Sequence, residues 1–336
     1  VSSTATVLNG VVYVGGGAQY WYALDASNGN ILWQVFTGDN SSNGGYYNWA
    51  SPLIVNGAAY INISSAGNCP SVQGAVMKVD LATHNVTHTF YAVPNGQVGG
   101  AIWSSPAYDA STDTVFVTTG SVIGVPFDTD QPQAQAIVSL HGSDLSMVDS
   151  WQIPQAQDTG DSDFGTTPTL FTDGNGRQLI GAANKNGIFY ALDRNALSAG
   201  PVWQSQLAEG GSNPAVGQGS ISSAAFDGTT LYVAAGTPVN GANYASTITA
   251  FDPANGNIKW QQGANGYILG ALAVSNGLLV DASGQDLEVR STVDGSVLFS
   301  STINNNANVA LSAGPIIANG VIYEGSVDGN VYAFGL

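Results

Sequence analysis

The stretch Asp158-Thr159-Gly160-Asp161-Ser162-Asp163 places three carboxylates within six residues. Oxygen ligands of this kind suit a hard cation such as Ca²⁺, so Asp158, Asp161 and Asp163 are the best local metal candidate. The spacing lacks the glycine and terminal glutamate of an EF-hand loop. The plainer reading is a solvated turn whose aspartates cap nearby amides. A second stretch crowds Tyr46, Tyr47 and Trp49 together, with Asn40, Asn43 and Asn48 around them. Aromatic rings and amides on a loop could stack on a sugar and hydrogen-bond it. A loop packed on its own rings is the alternative.

Other constellations point to no chemistry. His84, His88 and His141 are the only histidines, and none has zinc-binding spacing. No Gly-x-Ser-x-Gly nucleophile elbow is present. Gly15-Gly16-Gly17 lies between two strand patterns, so no helix N-terminus follows it to cradle a phosphate. Asn40-Ser41-Ser42, Asn62-Ile63-Ser64 and Asn85-Val86-Thr87 are glycosylation sequons. Asn40, on a loop, is the best placed of them, whereas Asn62 falls in a strand pattern.

Composition narrows the classes. Charged residues are 9% of the chain and Gly numbers 43, while the net charge is -17. The imbalance comes from scarce bases: Lys78, Arg177, Lys185, Arg194, Lys259 and Arg290 are the only six. Nucleic-acid binding needs clustered cations to displace phosphate counterions, so no nucleic-acid partner is expected. Anionic membrane surfaces are disfavoured for the same reason. No apolar run reaches transmembrane length. The single cysteine, Cys69, excludes an intramolecular disulfide. A surface rich in Asn, Ser, Thr and Gly suits a secreted or cell-surface protein. Val1 falls almost at once into a strand pattern, so the numbering is expected to begin after processing or to lack upstream sequence.

The elements that position these residues come from a repeat. Tyr22-Ala23-Leu24-Asp25 with Trp33, Tyr190-Ala191-Leu192-Asp193 with Trp203, and Thr249-Ala250-Phe251-Asp252 with Trp260 share one pattern. Each unit reads as four short strands joined by Asn-Gly or similar turns. Seven units follow, with first strands near Ser2, Trp49, Trp103, Phe164, Ser220, Leu269 and Ser312. The reading is an all-β, β-propeller fold of four-stranded antiparallel blades, with seven blades visible, over one domain spanning 1–336. The seventh unit stops at Tyr332-Ala333-Phe334 and lacks its outer strand, which upstream residues or another chain would supply. The aromatics closing each unit are expected to pack between blades. Four insertions break the spacing, Asp39–Asn48, Ser64–Gly74, Ser121–Gln135 and Thr237–Ala245, and loops on a rigid scaffold are where recognition concentrates.

The repeats resemble the pyrroloquinoline-quinone-type (PQQ-like) propellers, the quinoprotein alcohol dehydrogenase-like family. The resemblance covers essentially the whole chain. It is most specific in Asp163-Phe164-Gly165-Thr166-Thr167-Pro168 and in Lys185-Asn186-Gly187-Ile188-Phe189-Tyr190-Ala191-Leu192-Asp193-Arg194. The family includes dehydrogenases and non-enzymatic scaffolds, among them propellers of outer-membrane assembly. The resemblance implies a catalytic aspartate at Asp163, a quinone-contacting base at Lys185 and a cofactor-stacking tryptophan at Trp103. It also implies a Ca²⁺ or lanthanide held by a glutamate, an asparagine and an aspartate. At the first two places this chain has Ala66-Gly67-Asn68-Cys69-Pro70 and Ser121. Without its metal a quinone loses the Lewis acid that polarises its carbonyl.

The expected function is a non-catalytic binding or assembly module at the cell surface, with a protein or glycan partner and no cofactor. One alternative is a PQQ-dependent dehydrogenase with PQQ and Ca²⁺ at an altered metal site built on Asp163, Lys185 and Trp103. The other is a structural subunit that self-assembles by strand exchange at blade seven.

Overall fold

The computed structural model describes residues 3–17, 19–67, 70–122, 131–303 and 311–335. Asn68, Cys69 and most of the Ser121–Gln135 insertion therefore lie outside the described residues. The strands form seven successive antiparallel meanders, the seven-bladed β-propeller expected from the repeats. Two compact units divide them, Val1–Asp158 and Thr159–Leu336. The first unit carries blades 1 to 3 and the second carries blades 4 to 7.

Turn chemistry sets the register. Blade 1 runs Thr6–Leu8, Val11–Gly15, Tyr20–Asp25 and Ile31–Phe36. Asn9 and Gly10 join its first two strands with φ of 51° and 79°. Two consecutive positive-φ residues make a turn that matches the twist of a hairpin. Asn56-Gly57, Asn276-Gly277 and Asn319-Gly320 repeat it in blades 2, 6 and 7. Between the third and fourth strands an aspartate takes over. Asp25 accepts from the amide and hydroxyl of Ser27 at 2.7 and 2.6 Å. Asp80, Asp252 and Asp294 hold the corresponding turns of blades 2, 5 and 6. Much of the acid content is thus turn chemistry. In all six complete blades a bulge interrupts the pairing of the third and fourth strands, which bends the outer strand.

Burial is greatest in the middle strands of the blades. Leu231–Ala235 and Ser246–Phe251, the middle strands of blade 5, are buried throughout, whereas its outer strand Ile258–Ala264 is largely accessible. Neighbouring blades cover each other within each unit. In the first, Tyr13, Trp21 and Val35 pack on Ile61, Ile63 and Val79. In the second, Phe189, Ala191 and Trp203 pack on Leu231, Val233 and Phe251. The outer-strand tryptophans are interblade packing, as expected. The Trp203 indole donates to the Pro253 carbonyl of blade 5 at 2.9 Å, and Trp260 donates to Thr292 of blade 6 at 3.0 Å. Gly256 and Gly295 are required beneath those rings. A Cβ on Gly256 would meet Trp203 at 2.5 Å, and one on Gly295 would meet Trp260 at 2.6 Å.

The Ser/Thr-rich first strands make polar rungs between blades. Ser51 donates its amide to the Ser105 hydroxyl at 3.0 Å, and Thr167 does the same to Ser223 at 2.9 Å. Blade 7 has three strands among the described residues, Ile316–Ala318, Val321–Gly325 and Val331–Gly335. Among the described residues no helix is long and apolar enough to cross a membrane.

Candidate functional site

Lys185 sits in the turn between the second and third strands of blade 4, Gln178–Ala183 and Ile188–Asp193. The turn is built by its asparagines. The Asn184 carboxamide oxygen accepts from the Asn186 amide at 2.8 Å, and the Asn186 oxygen accepts from Ile188 at 3.0 Å. The Asn186 Nδ2 donates to the Tyr190 hydroxyl at 2.7 Å. Gly187 completes the turn at φ 84°, where a Cβ would collide with the Ala208 carbonyl.

This turn is stitched to the acidic loop. The Lys185 amide donates to the Asp163 carbonyl at 3.0 Å, and the Asn184 Nδ2 donates to the Ser162 carbonyl at 2.8 Å. Phe164 anchors the loop from below, fully buried and edge-on to Tyr190. The Lys185 ammonium therefore points between two carboxylates. It lies 3.2 Å from both Asp161 oxygens and 3.1 Å from Asp163 Oδ2. An ammonium has three protons to donate, and these contacts turn it toward the two carboxyl groups.

Electrostatics follow from that geometry. Burial pulls the Lys185 ammonium down, but Asp163 and Asp161 outweigh it and hold it above the usual lysine value. Burial lifts the Asp161 carboxyl, and the Asp163 charge adds to the rise, against the pull of Lys185. The cluster is a partly buried triad in which one ammonium lies between two carboxyl groups.

Asp158 is engaged elsewhere, accepting from the Gln135 carboxamide at 2.9 Å. Among the described residues no group of three His, Cys, Asp or Glu side chains could hold a metal ion. The three-aspartate metal loop expected from the spacing is thus not assembled, because a lysine 22 residues beyond Asp163 fills the gap between two of its carboxylates. Ser121 and Ala66-Gly67, where the resemblance implies an asparagine and a glutamate, lie in the first unit.

Trp103 lies in the first unit, half-buried just before the blade 3 strand Ala107–Asp109. Trp49 occupies the same place in blade 2, three residues before Pro52 as Trp103 is before Pro106. Trp49 is 39% exposed, with its ring 4.4 Å from Tyr47 and its indole N–H on the Ser65 carbonyl. The surrounding amides are engaged. Asn40 Nδ2 donates to the Gly17 and Tyr46 carbonyls at 2.9 and 2.6 Å, and buried Asn48 accepts from Thr37 at 3.0 Å. This insertion packs on its own rings and leaves Asn43 and Trp49 outward.

The sequons separate by burial. Asn62 is 2% exposed with its Nδ2 on the Ser104 carbonyl at 2.7 Å, so the folded strand offers no acceptor there. Asn85 is exposed on the turn before the strand Val86–Tyr91. His84 stacks on Trp33 at 4.4 Å, a packing role.

Two buried acids were not singled out from the sequence. Asp281 of blade 6 is paired with Arg290 Nε at 2.8 Å, and Arg290 also holds Glu288. Glu324 of blade 7 is buried without such a cation. Both stand fourth after an Asn-Gly turn, and that equivalence is the signal that could have found them.

Comparison with known proteins agrees with the repeat pattern. A family model described as outer membrane protein assembly factor BamB matches residues 184–336. The quinohemoprotein alcohol dehydrogenase ADH IIB of Pseudomonas putida is 27% identical over 224 residues, 54% of this chain and 31% of that protein. A polyvinylalcohol dehydrogenase of Sphingopyxis sp. is 25% identical over 61% of this chain and 36% of its own length. The chain thus spans about a third of these curated relatives. Among solved structures, the quinohemoprotein alcohol dehydrogenase from Comamonas testosteroni superposes with a TM-score of 0.76 at 17% identity, over 98% of this chain and 66% of that one. BamB from Moraxella catarrhalis superposes at 0.68 and 16% identity, over 100% and 85%. Those two structures share the fold with this chain.

Proposed function

We propose that this chain, a β-propeller of the PQQ-like repeat family, is a non-catalytic binding or assembly module that works outside the cytoplasm. The observation that carries the reading is the Asp161–Lys185–Asp163 triad. A base that is to contact a quinone needs a donor directed outward, and the three Lys185 contacts are internal. The match of residues 184–336 to a BamB family model, described as an assembly factor, supports an assembly role. In this reading the insertion loops of a rigid propeller meet a protein or glycan partner at the cell surface. The exposed Trp49 beside Tyr47 is an accessible aromatic surface at the edge of the Asp39–Asn48 insertion.

The test is turnover. The purified protein, supplied with the quinone and with Ca²⁺ or La³⁺, is assayed for dye-linked oxidation of primary and secondary alcohols. No turnover is expected above that of the Asp163→Ala variant. Metal-dependent turnover that Asp163→Ala abolishes would establish the dehydrogenase instead.

A second reading rests on blade 7. Its last described strand, Val331–Gly335, pairs with Val321–Gly325 among the described strands and alternates exposed and half-buried residues. A groove of about 470 Å³ runs beside it, lined by apolar residues that include Leu298, Phe299, Ile322 and Phe334. Assembly by strand addition at this edge would fill that groove.

A further inference from the structure

Glu324 is 1% exposed, and among the described residues neither of its carboxyl oxygens has a hydrogen-bond partner. The Ser326 hydroxyl, two residues on, is buried in the same condition. Successive residues of a strand alternate between faces, so Ile322, Glu324 and Ser326 share one. Ile322 identifies it, because Ile322 packs with Val280, Ala282, Leu287 and Val289 of blade 6 and with Leu311. Glu324 is thus inserted between the last two blades of the second unit.

Blade 6 shows what such an acid requires. Asp281 holds the equivalent position, 0% exposed, and the Arg290 guanidinium answers it. Arg290 pairs in register with Leu279, and the corresponding partner of Ile322 in blade 7 is Phe334. Blade 7 has kept the buried acid and replaced its cation by a ring.

The charged groups of blade 6 do not face Glu324. Asp281, Glu288 and Arg290 lie on the opposite face, where Arg290 reaches the Gly263 carbonyl of blade 5. Toward blade 7 that sheet presents Val280, Ala282, Leu287 and Val289. On the strand beside Glu324, Tyr332 is its register partner, and the Tyr332 hydroxyl donates to Asp328 at 2.7 Å. Asp328 itself is exposed in the turn.

We propose that Glu324 is a proton-controlled latch that joins blade 7 to blade 6. Protonated, it is a neutral side chain that the apolar interface accepts. Ionised, it becomes an uncompensated charge there, which costs far more to bury than a neutral polar group, and blade 7 loosens together with its edge strand Val331–Gly335. Burial pushes the carboxyl up from an ordinary 4.5 to about 8. A carboxyl whose folded value is raised stabilises the fold below the unfolded value. That stability is lost as pH rises from about 4.5 through about 8. The latch is therefore closed in acid and released in mild alkali.

Hydrogen exchange read by mass spectrometry tests this on the intact chain, at about pH 5.5 and about pH 8.5 with intrinsic rates corrected. For the wild type, the opening constant of peptides from Ile316 to Gly335 is expected to rise on the order of a hundredfold between the two, while blade 2 peptides stay level. Glu324→Gln, which mimics the protonated acid, is expected to show equal protection at both. Unchanged wild-type protection of blade 7, or the same loss in Glu324→Gln, would overturn the proposal. If Glu324→Gln does not fold, Glu324→Leu takes its place, and the wild-type contrast between blades 7 and 2 remains decisive alone.

Discussion

Lys185 decides what the acidic loop is. Spacing shows three aspartates in six residues, a pattern that suits a hard cation. It does not show that a turn 22 residues beyond Asp163 delivers an ammonium between two of them, since that depends on the backbone pairing of Lys185 with Asp163. Lys185→Ala is expected to leave Asp161 and Asp163 facing each other without their cation. Charge-assisted hydrogen bonds contribute about 1.5–3 kcal/mol, so the variant should lose stability of that order in urea unfolding. It should also gain a Tm increase with millimolar Ca²⁺ that the wild type lacks. A variant as stable as the parent, or indifferent to Ca²⁺, would show that Lys185 does not occupy a cation's place. Arg290→Met exposes the same logic in a fully buried setting. It strands Asp281 beside Glu288, and loss of one partner from a buried ion pair costs about 3–5 kcal/mol. Urea unfolding of this variant, compared with the wild type at neutral pH, measures it. Neither Arg290 nor Glu324 stood out in the sequence, because strands reading Leu-Leu-Val-Asp and Val-Ile-Tyr-Glu resemble half-exposed alternation until the neighbouring blade covers them.

Elements were far more legible than sites. Asn-Gly turns appear at Asn9, Asn56, Asn276 and Asn319 with positive φ at both positions, as the hairpin chemistry demands. The aromatic-Ala-Leu-Asp strands and their closing tryptophans marked the third and fourth strands, because Trp203 and Trp260 must reach the next blade. Less visible was why Gly256 and Gly295 stand in the turns they reach. The sequence shows only another glycine, whereas the structure shows a ring over each. Gly256→Ala is expected to destabilise by roughly 1–3 kcal/mol, since it adds both a collision with Trp203 and left-handed strain. Gly29, in the corresponding turn of blade 1, has no atom within 4 Å of its Cβ position. Gly29→Ala should therefore suffer only the smaller backbone penalty. Equal urea midpoints for the two variants would contradict the packing argument.

The chain is a seven-bladed propeller with four-stranded blades 1 to 6 and three strands of blade 7 among the described residues. A seven-bladed propeller could be derived from periodicity because the repeat is imposed by blade-on-blade burial, which constrains nearly every strand. Function could not be derived that way, because one fold hosts enzymes and scaffolds alike, and the difference lies in a few side chains such as Lys185, Ser121 and Trp103. The most direct measurement is equilibrium binding of the quinone, followed by absorbance, with and without Ca²⁺ or La³⁺. A propeller whose Lys185 is held internally by Asp161 and Asp163 is predicted to show no saturable change under either condition. Saturable, metal-dependent binding that Lys185→Ala or Asp163→Ala removes would contradict the scaffold account and make the blade 4 triad the heart of a quinone site.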